Sequence, residues 1–348
     1  MSKRSKRVLV LYDLPEAVAE HADPRYLLEH EDRPTERDVC RAIKKLGLEL
    51  YVHGVFDETN HLWQRLQEIE PDVVFNLCET FRGDRSHEGD MASILELANV
   101  PYTGALPAAL HLCKDKGATK KIAGWDGVKV PAFKVYSKDE FKFETFDAAF
   151  PLIVKPLNRE ASEGIAKASI VENWDACRER ATWVAQKLQS DVIVEEYIHG
   201  RELYIAVLET GGSIKAMPPR ELFFDKVDKS EPMVATYKAK WDNSYRKRWG
   251  ISTGRAGPLP EAVAKNLKDN SILVFRALGL SGYARMDWRL SESGVPVFLE
   301  ANPNPALSQD DDFALAVKAS GMSYGELIAQ IIASAISSGN LKSVASKS

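Results

Sequence analysis

The chain has 348 residues, with 46 Lys+Arg against 50 Asp+Glu and a formal charge of −4. At 45% hydrophobic and 28% charged residues the composition is that of a globular protein of two or three domains, which excludes a disordered chain. The near-neutral balance excludes a dominant polyanion-binding role and argues against a nucleic-acid partner. Four dispersed cysteines (Cys40, Cys78, Cys113 and Cys177) lack metal-ligand spacing, so a structural zinc is not expected and a reduced compartment is. The basic start is followed by an apolar run too short for a signal segment, and no stretch approaches the roughly 18 apolar residues of a spanning helix. A cytoplasmic chain with no membrane partner is expected.

Arg7–Tyr12 reads as a buried strand, and residues 13–34, polar and Pro-punctuated, as a loop or insertion. Thr35 is placed as the cap of a helix that Gly47 stops. Leu48–Val55 and Asp72–Leu77 read as further strands, with helices at Thr59–Glu68 and Gly89–Ala98. Strands separated by helices predict a parallel, doubly wound α/β sheet over residues 1–114. From Asp115 the pattern becomes α+β. Strands are expected at Val130–Tyr136, Leu152–Lys155, Ala166–Val171 and Val192–Ile198, with one helix at Trp174–Leu188, giving an antiparallel layer over residues 115–200. A third block, residues 201–336, carries strands at Leu203–Leu208 and Ile214–Pro218 and an irregular charged stretch from Arg220 to Gly257. A helix at Leu259–Leu278 follows, then a hairpin of Gly282–Leu290 with Val295–Ala301, and a helix at Ser323–Ser337. Residues 337–348 read as a frayed tail.

Three segments carry chemistry. On the hairpin, alternation puts Arg285 and Asp287 on one face, and Glu300 and Asn302 on one face of the partner strand. Two carboxylates and an amide oxygen suit Mg²⁺, although a solvated face of cross-strand charge pairs reads equally well. Lys155 ends an apolar strand and precedes a small, polar loop, as in a phosphate grip or as a plain strand-end lysine. The run Val192–Glu202 joins an apolar strand to a polar linker with a carboxylate at each end, suited to an adenine edge and ribose hydroxyls, or simply a charged loop.

Together and in this order, with Pro101-Tyr-Thr-Gly104 and Asp115-Lys116, these segments resemble the ATP-grasp superfamily and, within it, D-alanine–D-alanine ligases, over about residues 35–335. The resemblance implies an ATP-grasp fold: a Rossmann-like N-terminal domain followed by two α+β subdomains that grip ATP. It implies that Lys116 and Lys155 hold phosphates, that Ser162 and Gly164 cover them, that Glu195 meets the adenine amino group beside the backbone of Tyr197 and Ile198, and that Glu202 takes the ribose. Lys240 matches a lysine on a closing loop. Asp287, Glu300 and Asn302 would bind two Mg²⁺ (or Mn²⁺), Arg285 and the Ala306 N–H would polarise the acyl centre, and Glu36 would bind the first amino acid's ammonium. The implied activity is ATP-dependent joining of a carboxylate to an amine through an acyl phosphate, on small amino acid or peptide substrates. The family often forms dimers through its N-terminal region, so a homodimer is one assembly open to this chain.

Three departures bear on substrate. The family's Gly-Gly turn after the first strand is replaced by the 13–34 segment, and His87 stands where the family has an acid. Asp311 falls where the family has a serine that holds the acceptor's carboxylate, and Ser308 sits one turn earlier. Facing carboxylates repel, so an altered acceptor is expected: an amine lacking a nearby carboxylate, or a cationic one. The alternative is that Asp310–Asp312 cap the next helix and point to solvent. Two rival functions stand beside this reading, an unmodified D-alanine–D-alanine ligase and a non-catalytic ATP-binding regulator.

Overall fold

A computed structural model describes residues 5–17, 33–160, 162–227, 233–236, 239 and 242–345. Lys240 and most of the 13–34 segment lie outside the described residues. The chain forms three sheets. In the first, β1 (Arg7–Asp13) lies between β2 (Glu49–Val55) and β3 (Val73–Leu77), all parallel. Val8 through Tyr12 are fully buried, as parallel strands covered on both faces must be. Alternation divides them. Val8 and Val10 join a core with Val39, Ile43, Leu327 and Ile331, while Leu9 and Leu11 join another with Leu62, Leu66, Met91 and Leu95.

Helix α1 (Pro34–Lys45) begins one residue before the expected cap: Arg33 holds the cap position and Pro34 enters the first turn, where its missing N–H costs nothing. Helices α2 (Asn60–Ile69) and α3 (Glu88–Leu97) follow as expected. Two helices were not anticipated, α4 (Pro107–Lys114) and α5 (Lys116–Trp125). Both carried start signals, Pro107 in the first turn of one and Asp115 capping the other through Ala118 N–H at 2.8 Å.

The second sheet is antiparallel, in the order β4 (Phe133–Tyr136), β7 (Val192–Glu196), β5 (Leu152–Pro156), β6 (Ile170–Val171). The strand expected at Ala166–Val171 is reduced to its last two residues, because Lys167–Ser169 turn as a short 3-10 helix. Helix α6 (Trp174–Lys187) packs its Cys177, Ala181 and Val184 face on this sheet.

The third sheet holds six strands. Its long axis is β8 (Gly200–Thr210), flanked by β9 (Ser213–Ala216), by β10 (Arg220–Phe224) and by the hairpin β12 (Tyr283–Ser291)–β13 (Pro296–Asn302); β11 (Ile251–Arg255) pairs with β10. The stretch from Arg220 to Gly257 is therefore not irregular throughout: it holds β10, helix α7 (Asn243–Trp249) and β11. Its charged residues hid the strands; two of them are paired across the fold, Glu221 with Arg201 and Arg220 with Asp312, each at 2.7 Å. Helix α8 (Glu261–Ala277) backs the sheet, and α9 (Asp312–Ala319) and α10 (Tyr324–Ala345) close the chain. The last helix runs to Ala345, across most of the segment expected to fray.

Candidate active site

The hairpin register decides the central question. Asp287 stands directly opposite Glu300, and Arg285 opposite Asn302. Opposed residues of an antiparallel pair share a face, so the four side chains converge rather than forming two separate surface pairs. Arg285 grips Asp287 with both ends of its fork, Nε at 2.7 Å and Nη2 at 2.9 Å, and lies over the Tyr204 ring at 4.8 Å. Its side chain is largely buried, and Asp287 holds the guanidinium firmly in its charged form against the opposing push of burial.

A cleft lined largely by polar and charged side chains opens over this hairpin. Asp287 and Glu300 form its floor, Lys116 and Lys155 reach in from α5 and β5, Ser162 borders it, and Glu195, Tyr197, Ile198 and Glu202 line the linker side. Lys116 is nearly buried. Its ammonium donates to the Leu157 and Arg159 carbonyls at 3.3 and 2.5 Å and stands 3.8 Å from Glu300. Ser162 is held in the left-handed region at φ 62°, a strained position at the loop that borders the cleft. Gly164 follows at φ 75°, where a Cβ would meet Leu188 at 2.6 Å and Pro156 at 2.8 Å. Residue type at both positions is thus tied to how tightly this loop is drawn over the strand that carries Lys155.

Two expected contacts are taken by protein partners. Glu195 is buried and paired with Lys155 and, at 3.1 Å, with Lys120. Burial pushes its carboxyl up, but the two lysines outweigh burial and keep it ionised. Glu202 is also buried, with Arg289 at 3.0 Å and the Tyr204 hydroxyl donating at 2.9 Å. Lys120 and Arg289 were both missed in the sequence. Lys120 lies one turn after Lys116 on the same helix face, and Arg289 two residues after Asp287 on the same strand face, so the spacing rules that found their neighbours applied to them too. Arg289 further donates to the carbonyls of Gly200 (2.9 Å) and Met233.

Other candidates stand away from this cleft. Glu36, at the start of α1, pairs with Arg33 at 2.9 Å; burial raises its carboxyl and Asp13 adds to the effect. His87 is half exposed and pairs with Asp90 at 2.7 Å, so the structure does not bring it into the cleft. Its neighbour Glu88 is the buried acid, held by Lys114 at 2.9 Å and by the Asn304 amide at 2.8 Å.

After Glu300 the three acids divide: Asp310 is exposed, while Asp311 and Asp312 are partly buried. Asp311 takes the cap position of α9, yet its side chain turns back to accept the Ser308 hydroxyl at 2.7 Å and its N–H at 3.2 Å. Asp312 pairs with Arg220 at 2.7 Å, both partly buried. Ala306 is exposed on the loop between them and the hairpin. Burial raises the Asp311 carboxyl, opposed by its Ser308 bonds.

Among the described residues no three His, Cys, Asp or Glu side chains converge as a metal cage. The hairpin instead offers two opposed carboxylates and an amide, the open set that fits a Mg²⁺ keeping phosphate and water ligands. All four cysteines are free and buried, and no helix of the described residues is long and apolar enough to cross a membrane.

Comparison with known proteins agrees with this geometry. Residues 120–333 match the family model described as D-ala D-ala ligase C-terminus. A Bordetella petrii protein described as a D-alanine–D-alanine ligase is 31% identical over 314 residues, covering 87% of this chain and 89% of its own. The fold matches a Bacillus anthracis D-alanine–D-alanine ligase solved in complex with ATP, with a TM-score of 0.71 at 20% identity, over 97% of this chain and 100% of that one. It also matches the VanG D-Ala:D-Ser ligase of Enterococcus faecalis, with a TM-score of 0.67 at 17% identity, over 95% of this chain and 100% of that one. The chain therefore belongs to the D-alanine–D-alanine ligase family, and it is an ATP-grasp ligase.

Proposed function

We propose that the protein joins the carboxylate of one small amino acid to the amine of an acceptor, through an acyl phosphate made with ATP, and that its acceptor is held differently from D-alanine in the family's usual pose. A carboxylate is a poor electrophile because amine attack would have to expel oxide; phosphorylation replaces that leaving group with phosphate. Lys116 and Lys155 hold the phosphates, with Ser162 and Gly164 in the loop beside them. Glu195, Tyr197, Ile198 and Glu202 take the adenosine, and Glu36 the donor's ammonium. Bound Mg²⁺, two ions held by Asp287, Glu300 and Asn302, with Mn²⁺ as a substitute, would offset charge on the transferring phosphoryl group. Arg285 and the Ala306 N–H stabilise the oxyanion formed when the amine attacks. A cytoplasmic site of action is supported by the use of ATP and by four free, buried cysteines, and a homodimer is testable by light scattering.

The observation that carries this reading is the pairing of Arg285, Asp287, Glu300 and Asn302 on one sheet face below two lysines. The altered acceptor rests on Ser308: its hydroxyl is committed to Asp311, so it is not free to replace the family's serine. Arg285→Ala tests the chemistry apart from binding. The variant is expected to bind ATP with turnover lower by roughly 100- to 1000-fold, the effect of removing one oxyanion donor. Unchanged turnover would contradict the role given to Arg285, and lost ATP binding would point to a structural one.

A further inference from the structure

We propose that Arg220 is a specificity-determining residue of this ligase, its guanidinium binding the carboxylate of the acceptor amino acid from the β10 side of the site. The proposal rests on the ligase reading above and deepens it.

The sheet register places Arg220. It pairs with Tyr204 across β10–β8, Tyr204 with Asp287 across β8–β12, and Asp287 with Glu300 across β12–β13. Each pair is antiparallel and directly opposed, so all four side chains leave the sheet on the same face. Arg220 thus belongs to the row that forms the catalytic floor, about 10 Å from Asp287 at two strand spacings. Arg285 lies over Tyr204, the residue between them.

The remaining contacts put Arg220 at the acceptor end. Its Nε donates to Asp312 at 2.7 Å. Asp312 follows Asp311, the position that would face the acceptor, and Arg285 lies within Coulombic range of both acids. Among the described residues the two terminal nitrogens of Arg220 make no hydrogen bond, although the side chain is only 12% exposed. A guanidinium held by one edge, with its outer edge open in a partly desolvated place, is suited to grip a carboxylate in two parallel bonds. It also resolves the conflict raised by Asp311. An acceptor carboxylate would meet a fixed cation on β10 rather than the missing serine, and Asp311, occupied by Ser308, would stand aside.

Matched acceptors that differ only in charge test this. ADP formation and product mass are measured for D- and L-amino acids and for their carboxamides, with wild type, Arg220→Gln and Arg220→Lys. In wild type the carboxamides are expected to show an acceptor KM roughly 10- to 100-fold above the free acids, the worth of a charged hydrogen-bonded contact. In Arg220→Gln that ratio should fall towards one through acceptor KM, with the KM for ATP unmoved, and Arg220→Lys should fall between, since it keeps the charge and loses the fork. A merely structural bracket between β10 and α9 would lower turnover for acid and amide alike. Wild type that uses both equally, or Arg220→Gln that keeps the wild-type ratio, would overturn the proposal and leave the ligase reading standing; the wild-type comparison needs no variant to fold. ADP formation with no acceptor pair at all would overturn the ligase reading itself, and this proposal with it.

Discussion

Glu79 follows β3 in a group of acids at the C-terminal end of the parallel sheet, with Asp13 accepting the Glu79 N–H at 3.0 Å and the Thr80 hydroxyl at 2.9 Å. Partial desolvation, then the charges of Asp13 and Glu88, push its carboxyl up to about 7, against the pull of Arg85 at 2.7 Å and with 39% of the side chain still exposed to solvent. The sign of the resulting pH effect follows from linkage. The folded state keeps a proton that the unfolded state releases near the ordinary value of 4.5, so the contribution is full below 4.5 and is lost as pH rises through about 7. Glu79→Gln has no such proton. Between pH 4.5 and 7 the wild type should lose thermal stability relative to this variant, and parallel melting curves across that window would contradict the assignment.

Legibility at this scale tracks distance along the chain. Arg285, Asp287, Glu300 and Asn302 were readable because a hairpin converts period-two alternation into contact over a few residues. Arg220 was not, because its partner Asp312 lies 92 residues away and no local pattern links them. Asp311 was read as facing the acceptor or, together with Asp310 and Asp312, as capping the next helix towards solvent; the structure gives Asp311 and Asp312 protein partners. Their partners, Ser308 and Arg220, make them part of the wall instead.

Among the elements, β8 decides most of the geometry, since it carries Glu202 and Tyr204 and pairs from Gly200 to Leu208 with the whole of β12. Gly200 opens it at φ 132°, where a Cβ would overlap the Leu290 carbonyl of β12. No side chain fits there without parting the two strands at the point where Arg289 meets Glu202. Gly200→Ala is therefore expected to destabilise the protein by about 1–3 kcal/mol in denaturant unfolding, the cost of such a strained backbone position, and to weaken ATP binding. An unchanged midpoint would show that the strand entry yields without penalty. The parallel sheet and α6 were legible because hydrophobic runs and caps are local. β10 and β11 were not, because their pattern is broken by Arg220, Glu221 and Arg255; Glu221 pairs with Arg201 and Arg220 with Asp312, while Arg255 is exposed.

In the whole molecule the cleft exists because separate layers meet. Lys116 comes from α5, Lys155 and Glu195 from the four-stranded sheet, and Asp287, Glu300 and Glu202 from the six-stranded one. The C-terminal end of the parallel sheet brings Asp13 within Coulombic range of Glu36 on α1, and the sheet shares a core with the six-stranded sheet through Ala206, Leu208 and Tyr283. Such an assembly has a use beyond holding a nucleotide. A regulator would need the lysines and the linker but not an arginine gripping a carboxylate that faces a second one.

The central claim is tested most directly by the stoichiometry of turnover. With ATP and Mg²⁺, phosphate release and the mass of the condensed product are followed together across pairs of amino acids and amines. The account predicts ADP, phosphate and amide in equal amounts for at least one pair, and none of the three when either substrate is left out. ATP bound without ADP formation for every pair, or phosphate released with no amide, would contradict it.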